Sequence, residues 1–141
     1  LDFLRDMRTW FAAKPGQAQA RRILVGDLNV APLETDVWSH KALLKVVSHT
    51  PVEVELMDAL QASHRWVDAV RHFIPPEEKL YSWWSYRSPD WAAADKGRRL
   101  DHIWVTPALA AGLRAAEVAK PVRGWGNASD HAPVLATIAV P

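Results

Sequence analysis

Three short polar clusters in this chain combine residue types that do chemistry together. In Gly26-Asp27-Leu28-Asn29 a carboxylate and an amide stand two apart, so an extended backbone points them to the same side. Asp27 could bind a hard cation or take a proton from water, and Asn29 could donate to an anionic oxygen. The same D-x-N pattern also builds a plain Asx turn, and both readings stand at this level. The second cluster is Arg98-Arg99-Leu100-Asp101-His102, with Asp101 at the head of an apolar run. Its bland alternative is a surface or capping aspartate. The third is Ser129-Asp130-His131, just before the apolar segment 133–140. Neighbours in an extended chain face opposite ways, so Asp130 and His131 read as two roles, one on a metal and one on substrate.

Several chemistries are excluded. The chain has no G-x-S-x-G elbow, no phosphate-binding G-x-x-x-x-G-K-[ST] loop and no H-E-x-x-H pair. With no Cys there are no disulfides, zinc–thiolate centres or Cys nucleophiles. Carboxylate and amide oxygens are then the main ligand supply, which favours Mg2+, with Mn2+ as second choice, over zinc. Oxygen-ligated magnesium beside a catalytic His points to phosphate ester chemistry.

The elements that must position these clusters can be read from periodicity. Phe3, Leu4, Met7, Trp10 and Phe11 form one stripe, so residues 2–12 are expected to be an amphipathic helix. Residues 14–19, KPGQAQ, read as a polar turn, and residues 22–25 as a buried strand ending at Gly26. Thr50-Pro51-Val52-Glu53 is a capping-box helix start, followed by Val52, Leu56, Met57 and Leu60 at helical spacing. Residues 66–73 fit helix or strand. Residues 80–84 are expected as an aromatic strand, 87–99 as a polar loop and 100–105 as a strand. A short helix is expected over 108–113 after the cap Thr106-Pro107, then a strand around 118–119, a loop over 123–129 and a terminal strand over 133–140. This alternation is α/β or layered α+β. Clusters at strand ends are held by a rigid scaffold.

Composition agrees. With 141 residues, 49% hydrophobic and 23% charged, the chain is one globular domain in size and not a disordered one. No apolar run is long enough to span a bilayer. The net charge of +1 offers no global field for a polyanion, leaving local patches to do so. The lack of Cys suits a cytoplasmic setting. The opening LDFLRDM, with no initiator Met or signal-peptide pattern, reads as a piece of a longer chain. Eight Trp outnumber the five Tyr and Phe, which suits core packing or contacts with bases and sugars.

The series GDLN, RLDH, SDHAPV, with the aromatic stretch Tyr81-Ser82-Trp83-Trp84-Ser85-Tyr86-Arg87 before the second motif, resembles the C-terminal half of the exonuclease III/AP endonuclease family. That family lies within the endonuclease/exonuclease/phosphatase superfamily. The resemblance implies a four-layer αββα sandwich. This chain would supply one mostly antiparallel sheet with helices on its outer face, as residues 1–141 of a single catalytic domain. It implies magnesium-dependent hydrolysis of DNA phosphodiesters, 5′ to abasic sites and at 3′ ends, in base excision repair. By the same resemblance, Asp27 would activate water or protonate the leaving group, and Asn29 would hold the phosphate or that water. Asp130, with Asp27, Asn29 and His131, belongs to the implied metal site. His131 would donate to a phosphate oxygen, with Asp101 orienting its ring.

Trp83, Leu100 and Arg98 match positions that line the abasic-sugar pocket in relatives, some of which carry an aromatic residue in place of Arg98. An Arg there could contact phosphate instead. Arg87, Lys96 and Arg99 are further phosphate-binding candidates, and Trp125 is a candidate to pack on the duplex. The implied partners are double-stranded DNA and the N-terminal half of the same domain, which supplies an Asn, a Glu and a Tyr to the site. Without that half, the fragment is expected to be nearly inactive and to self-associate through its bare sheet face. The rival readings are an inositol phosphate or sphingomyelin type phosphodiesterase of the same superfamily, and a non-catalytic DNA-binding fragment.

Overall fold

A computed structural model describes residues 1–16 and 19–140. Of the expected turn over 14–19, Gln17 and Ala18 lie outside the described residues. Helix α1 (Asp2–Ala12) packs against α3 (Pro51–Ser63), and both cover one face of a three-stranded antiparallel sheet. In that sheet β3 (Asp101–Val105) is central, flanked by β1 (Ile23–Asp27) and the two-residue β2 (Val67–Asp68). Leu24 and Trp104 face one another across the ladder and join Leu4, Phe11, Met57, Leu60 and Trp66 in the core beneath the helices.

The stripe expected on α1 divides. Leu4 and Phe11 are buried, while Phe3 and Trp10, seven apart on one flank, are exposed, because α3 covers only the middle of the stripe. Helix α3 starts as expected: the Thr50 side chain and the Glu53 side chain close a capping box around Pro51. Residues 66–73 resolve into β2 followed by turns. The expected helix over 108–113 is only the single turn α5 (Pro107–Ala110), and Leu113 already begins β4 (Leu113–Val118). That strand is longer than expected around 118–119, since a register shift between Leu113 and Ala115 masks its alternation. The polar loop over 87–99 holds one helical turn, α4 (Trp91–Ala94), capped by the Asp90 carboxylate on the Ala93 amide. A further short helix, α2 (His40–Leu43), is capped by Ser39.

Strand β4 pairs antiparallel with β5 (Val134–Ile138), so the strands form two antiparallel sheets. Residues 80–84, expected as a strand, lie between them and make only single-residue bridges, Trp83 with Arg98 and Trp83 with His131. Tyr81 and Trp84, three apart, share one buried cluster with Ala132, which the two-residue period of a strand does not allow. Gly97 is required here, because a Cβ would stand 2.5 Å from the Tyr81 ring.

The other face of β1 and β3 carries Ile23, Val25 and Ile103, ending in Asp27 opposite Asp101. Ile23 is 51% and Val25 63% exposed, so the β1 edge of this face is uncovered, while Val105 and Ile103 on β3 pack with Leu109 and Leu113. Among the described residues, no helix is long and apolar enough to cross a membrane.

Candidate active site

The β1–β3 register sets Asp27 and Asp101 side by side at the ends of their strands. The bridge between Trp83 and His131 brings the third cluster to the same end. Ligand atoms of Asp27, Asp101 and His131 all lie within 4.8 Å of one another, a group able to hold a metal ion. The hydrogens can be assigned by elimination. Ser82 Oγ accepts the backbone N–H groups of Leu100 and Asp101, so its own hydrogen goes to Asp101 Oδ2 at 2.7 Å. The same carboxylate oxygen accepts the Nδ1–H of His131 at 2.8 Å. His131 therefore presents Nε2 to the open side, 3.8 Å from Asp27 Oδ2.

Asp27 divides its two oxygens between structure and site. Oδ1 accepts the Asn29 backbone N–H at 2.9 Å, so the Asx turn forms. Asn29 sits at φ 54°, a left-handed conformation that Asn tolerates, so the extended geometry assumed for Asp27 and Asn29 ends at this residue. Buried imidazoles clamp the loop that follows. His102 Nε2 donates to the Val30 carbonyl at 2.8 Å, His49 Nδ1 donates to the Ala31 carbonyl at 2.7 Å, and the Leu28 amide bonds the Leu100 carbonyl. Burial, with the Arg99 charge adding to it, pushes His102 down to about 4, so it stays a neutral donor. Ser82, His102 and His49 were not singled out in the sequence. Their only signal there is nearness to the motifs, since no spacing marks a residue that acts by holding another.

Asp130 and His131 do face apart. His131 turns to Asp101, and Asp130 Oδ2 accepts the Trp83 indole N–H at 2.9 Å. Asp130 thus lines a separate cavity of about 720 Å³, walled by Trp38, Trp83, Trp84, Tyr86 and Trp91 with Arg87, Lys96 and Arg98. Lys96 lies over Trp38 and Arg98 over Trp83. Arg98 also donates to the Val47 carbonyl, which ties it to the loop before α3. Leu100 is only 4% exposed and packs in a cluster with Trp83 and Trp38, so it supports the cavity from behind. Trp125, 68% exposed, stands apart in a shallow recess that also reaches His131.

Arg99, a phosphate-binding candidate by sequence, is buried. It makes a two-pronged pair with Asp36 at 2.8 and 2.9 Å and a bond to Asp68 at 2.5 Å, and Arg71 completes the network. Being 1% exposed, with three of its N–H groups on these carboxylates, it is out of reach of a ligand and serves as the polar core beneath β2 and β3. Burial alone would raise the Asp68 carboxyl, but the Arg99 charge and hydrogen bond hold it below its usual value.

Comparison with known proteins places this geometry. Residues 4–131 match the endonuclease/exonuclease/phosphatase family. The chain is similar to the exodeoxyribonuclease of Bacillus subtilis, 38% identical over 115 residues, covering 79% of this chain and 42% of that protein. It is also similar to the DNA repair nuclease APEX1 of Danio rerio, 31% identical over 143 aligned positions, covering 99% of this chain and 44% of that protein. Among solved structures, an AP endonuclease from Archaeoglobus fulgidus superposes with a TM-score of 0.91 at 26% identity, over 99% of this chain and 53% of that one. The Neisseria 3′ phosphatase NExo, bound to a product DNA hairpin, gives 0.82 at 28% identity, over 98% and 51%. The chain spans about half the length of these relatives. It belongs to the endonuclease/exonuclease/phosphatase family, in the exonuclease III/AP endonuclease branch.

Proposed function

We propose that these residues form the C-terminal half of a DNA phosphodiesterase that cuts beside abasic sites and at 3′ ends, with Mg2+, or Mn2+ in its place, at the Asp27 cluster. The observation that carries this reading is the convergence of Asp27, Asp101 and His131 from three separate motifs onto one strand end. The donor set fits a hard cation: Asp27 Oδ2 accepts no hydrogen bond among the described residues, and Asp101 keeps one oxygen off the Ser82–His131 pair. Magnesium at this carboxylate pair would supply positive charge next to the scissile phosphate.

The side chains do the rest. Asp101 holds the His131 ring with Nε2 turned to the site, where the imidazolium form, protonated on both nitrogens, donates to a phosphate oxygen as charge builds there. Asp27 exchanges a proton with the attacking water or the leaving oxygen, and Asn29 steadies the phosphate. Asp130 braces the Trp83 indole and, through water, adds charge to the metal side. Trp83, Arg87, Lys96 and Arg98 are proposed to contact the DNA from the aromatic cavity, with Leu100 behind them and Trp125 on the far side of His131. The exposed face of Ile23 and Val25, running up to Asp27, is proposed to take the N-terminal half of the domain, which completes the site. The reducing cytoplasm suits such an enzyme.

The test is cleavage of a duplex with one abasic site by the purified chain, with Mg2+ and with chelator, before and after adding the N-terminal half. Negligible cutting alone, recovery on complementation and loss again in Asp27→Ala are expected. Cutting that survives chelator or Asp27→Ala would overturn the assignment. Turnover of inositol phosphates or sphingomyelin in place of DNA would favour the superfamily's other branches. Salt-sensitive DNA binding without turnover after complementation would favour a non-catalytic module.

A further inference from the structure

One buried cation stands behind the aromatic cavity without lining it. Arg123, in the short 3-10 helix Lys120–Gly124, is only 7% exposed. Arg99, also buried, is compensated by Asp36 and Asp68, whereas the partners of Arg123 are a carbonyl and two aromatic rings. Its Nε and Nη2 both donate to the Trp84 carbonyl, at 3.2 and 3.0 Å. Bonds in the guanidinium plane leave its flat faces free for rings. The guanidinium carbon stands 5.0 Å from the ring centre of Tyr86 and 5.0 Å from that of Trp91. Trp84, Tyr86 and Trp91 are all walls of the cavity.

The rest of this segment closes the same frame. Tyr86 is 63% exposed yet pinned at both ends, with its ring on Arg123 and its hydroxyl donating to the Ala128 carbonyl at 2.7 Å. A Cβ at Gly124 would stand 3.4 Å from the Trp91 ring, so this glycine lets the ring lie close beside Arg123. Trp91 also meets Trp84 edge-on, with centroids 5.3 Å apart. An apolar residue of similar length would fill the place of Arg123 at a smaller desolvation cost. It would lack the fork that fixes the guanidinium and the charge that holds two ring faces in position. Rings held open to solvent in this way suit the stacking of an unpaired base. Arg87, Lys96 and Arg98 on the same walls add positive charge for its backbone.

We propose that Arg123 is the positioning residue of this cavity. Given the DNA-cleaving role proposed above, it holds Tyr86 and Trp91 as stacking walls for one unstacked nucleotide of the bound strand, and so governs substrate binding and not the chemical step. The first test needs no turnover. The purified 141-residue chain, labelled with 5-fluorotryptophan, is titrated with a single-stranded deoxyoligonucleotide in chelator and followed by 19F NMR. The Trp91 signal, assigned with Trp91→Phe, should shift on binding. Arg123→Met should weaken binding about 10-fold, the worth of one stacking contact, and leave Trp91 unresponsive. Arg123→Lys should behave likewise, because an ammonium keeps the charge but not the fork. Signals of Trp66 and Trp104, in the core beneath the helices, report folding in each variant. Cleavage by the chain complemented with its N-terminal half should then show KM raised about 10-fold in Arg123→Met and kcat kept. A Trp91 signal that ignores the oligonucleotide, wild-type binding by Arg123→Lys, kcat lost at constant KM, or core signals collapsed in both variants would overturn the proposal. If the complemented chain cuts no DNA at all, the function proposed above fails, and the 19F titration still decides the role of Arg123.

Discussion

The site depends on one buried hydroxyl more than any spacing suggests. Ser82 Oγ receives two backbone N–H groups and gives its hydrogen to Asp101, so one atom holds the start of β3 and the carboxylate that orients His131. Ser82→Ala leaves one buried and one partly buried amide without this partner and should cost about 1–3 kcal/mol, read as a lower urea midpoint with an unchanged m-value. An unchanged midpoint would mean that water replaces the hydroxyl. The same residue scale explains why Arg98 and Arg99, adjacent in sequence, differ so much. One stacks on Trp83 at the rim of the cavity, while the other is consumed by Asp36 and Asp68 in the core. Alternation along the extended segment sends their side chains to opposite environments.

At the scale of elements, the start of α3 matters because it also anchors the Ala31 loop. Glu53 Oε2 accepts the Ser48 and Thr50 amides and the Thr50 hydroxyl, and the Ser48 carbonyl in turn accepts the Ala31 amide. Burial would raise the Glu53 carboxyl, but these hydrogen bonds, the Thr50 side chain first, carry it below its usual value. Glu53→Ala should destabilise by about 1 kcal/mol near neutral pH. Because the folded-state value is depressed, this contribution is present above the unfolded value and is lost as pH falls through the folded one. The gap between wild type and Glu53→Ala should therefore close on acidification, in denaturant titrations at stepwise lower pH. A gap that persists in acid would assign the effect to packing.

At the scale of the whole molecule, buried histidines set the acid limit. His102 is pushed down to about 4 by burial and then by Arg99, from an ordinary value of 6.5. His64 moves the same way, through burial and the Arg22 cation. A depressed His takes its proton only when unfolded, so stability is complete above 6.5 and is lost as pH falls toward 4. His102 alone accounts for about 3 kcal/mol across that window. Unfolding free energies measured from pH 7 to pH 4 should fall steadily, with the His102 ring signals unshifted until the lower end. A flat profile would refute the assignment. The exposed Ile23–Val25 face should also make the isolated chain self-associate. Sedimentation should show concentration-dependent dimers that Val25→Lys disperses, and a monomer at high concentration would count against the face as a docking surface.

The motifs themselves were legible in the sequence. Asp27, Asp101 and His131 follow apolar runs or precede them, the Thr50–Glu53 box marked α3, and the order of the motifs pointed to the family. These features depend on neighbours a few residues away. What the tertiary structure alone decided is long-range: Asp27 standing opposite Asp101, Ser82 reaching a carboxylate 19 positions on, and Arg99 turning inward to an aspartate 63 positions back. The aromatic segment 80–84 looked like a strand because its residue types favour one. It became a bridge between two sheets because Tyr81 and Trp84 bury together and leave Trp83 facing Asp130. Local pattern reports what a segment prefers by itself. Which carboxylate meets a metal, which meets an indole and which pairs with a buried arginine is settled only when the strands and loops pack, since each of these partners lies far away along the chain.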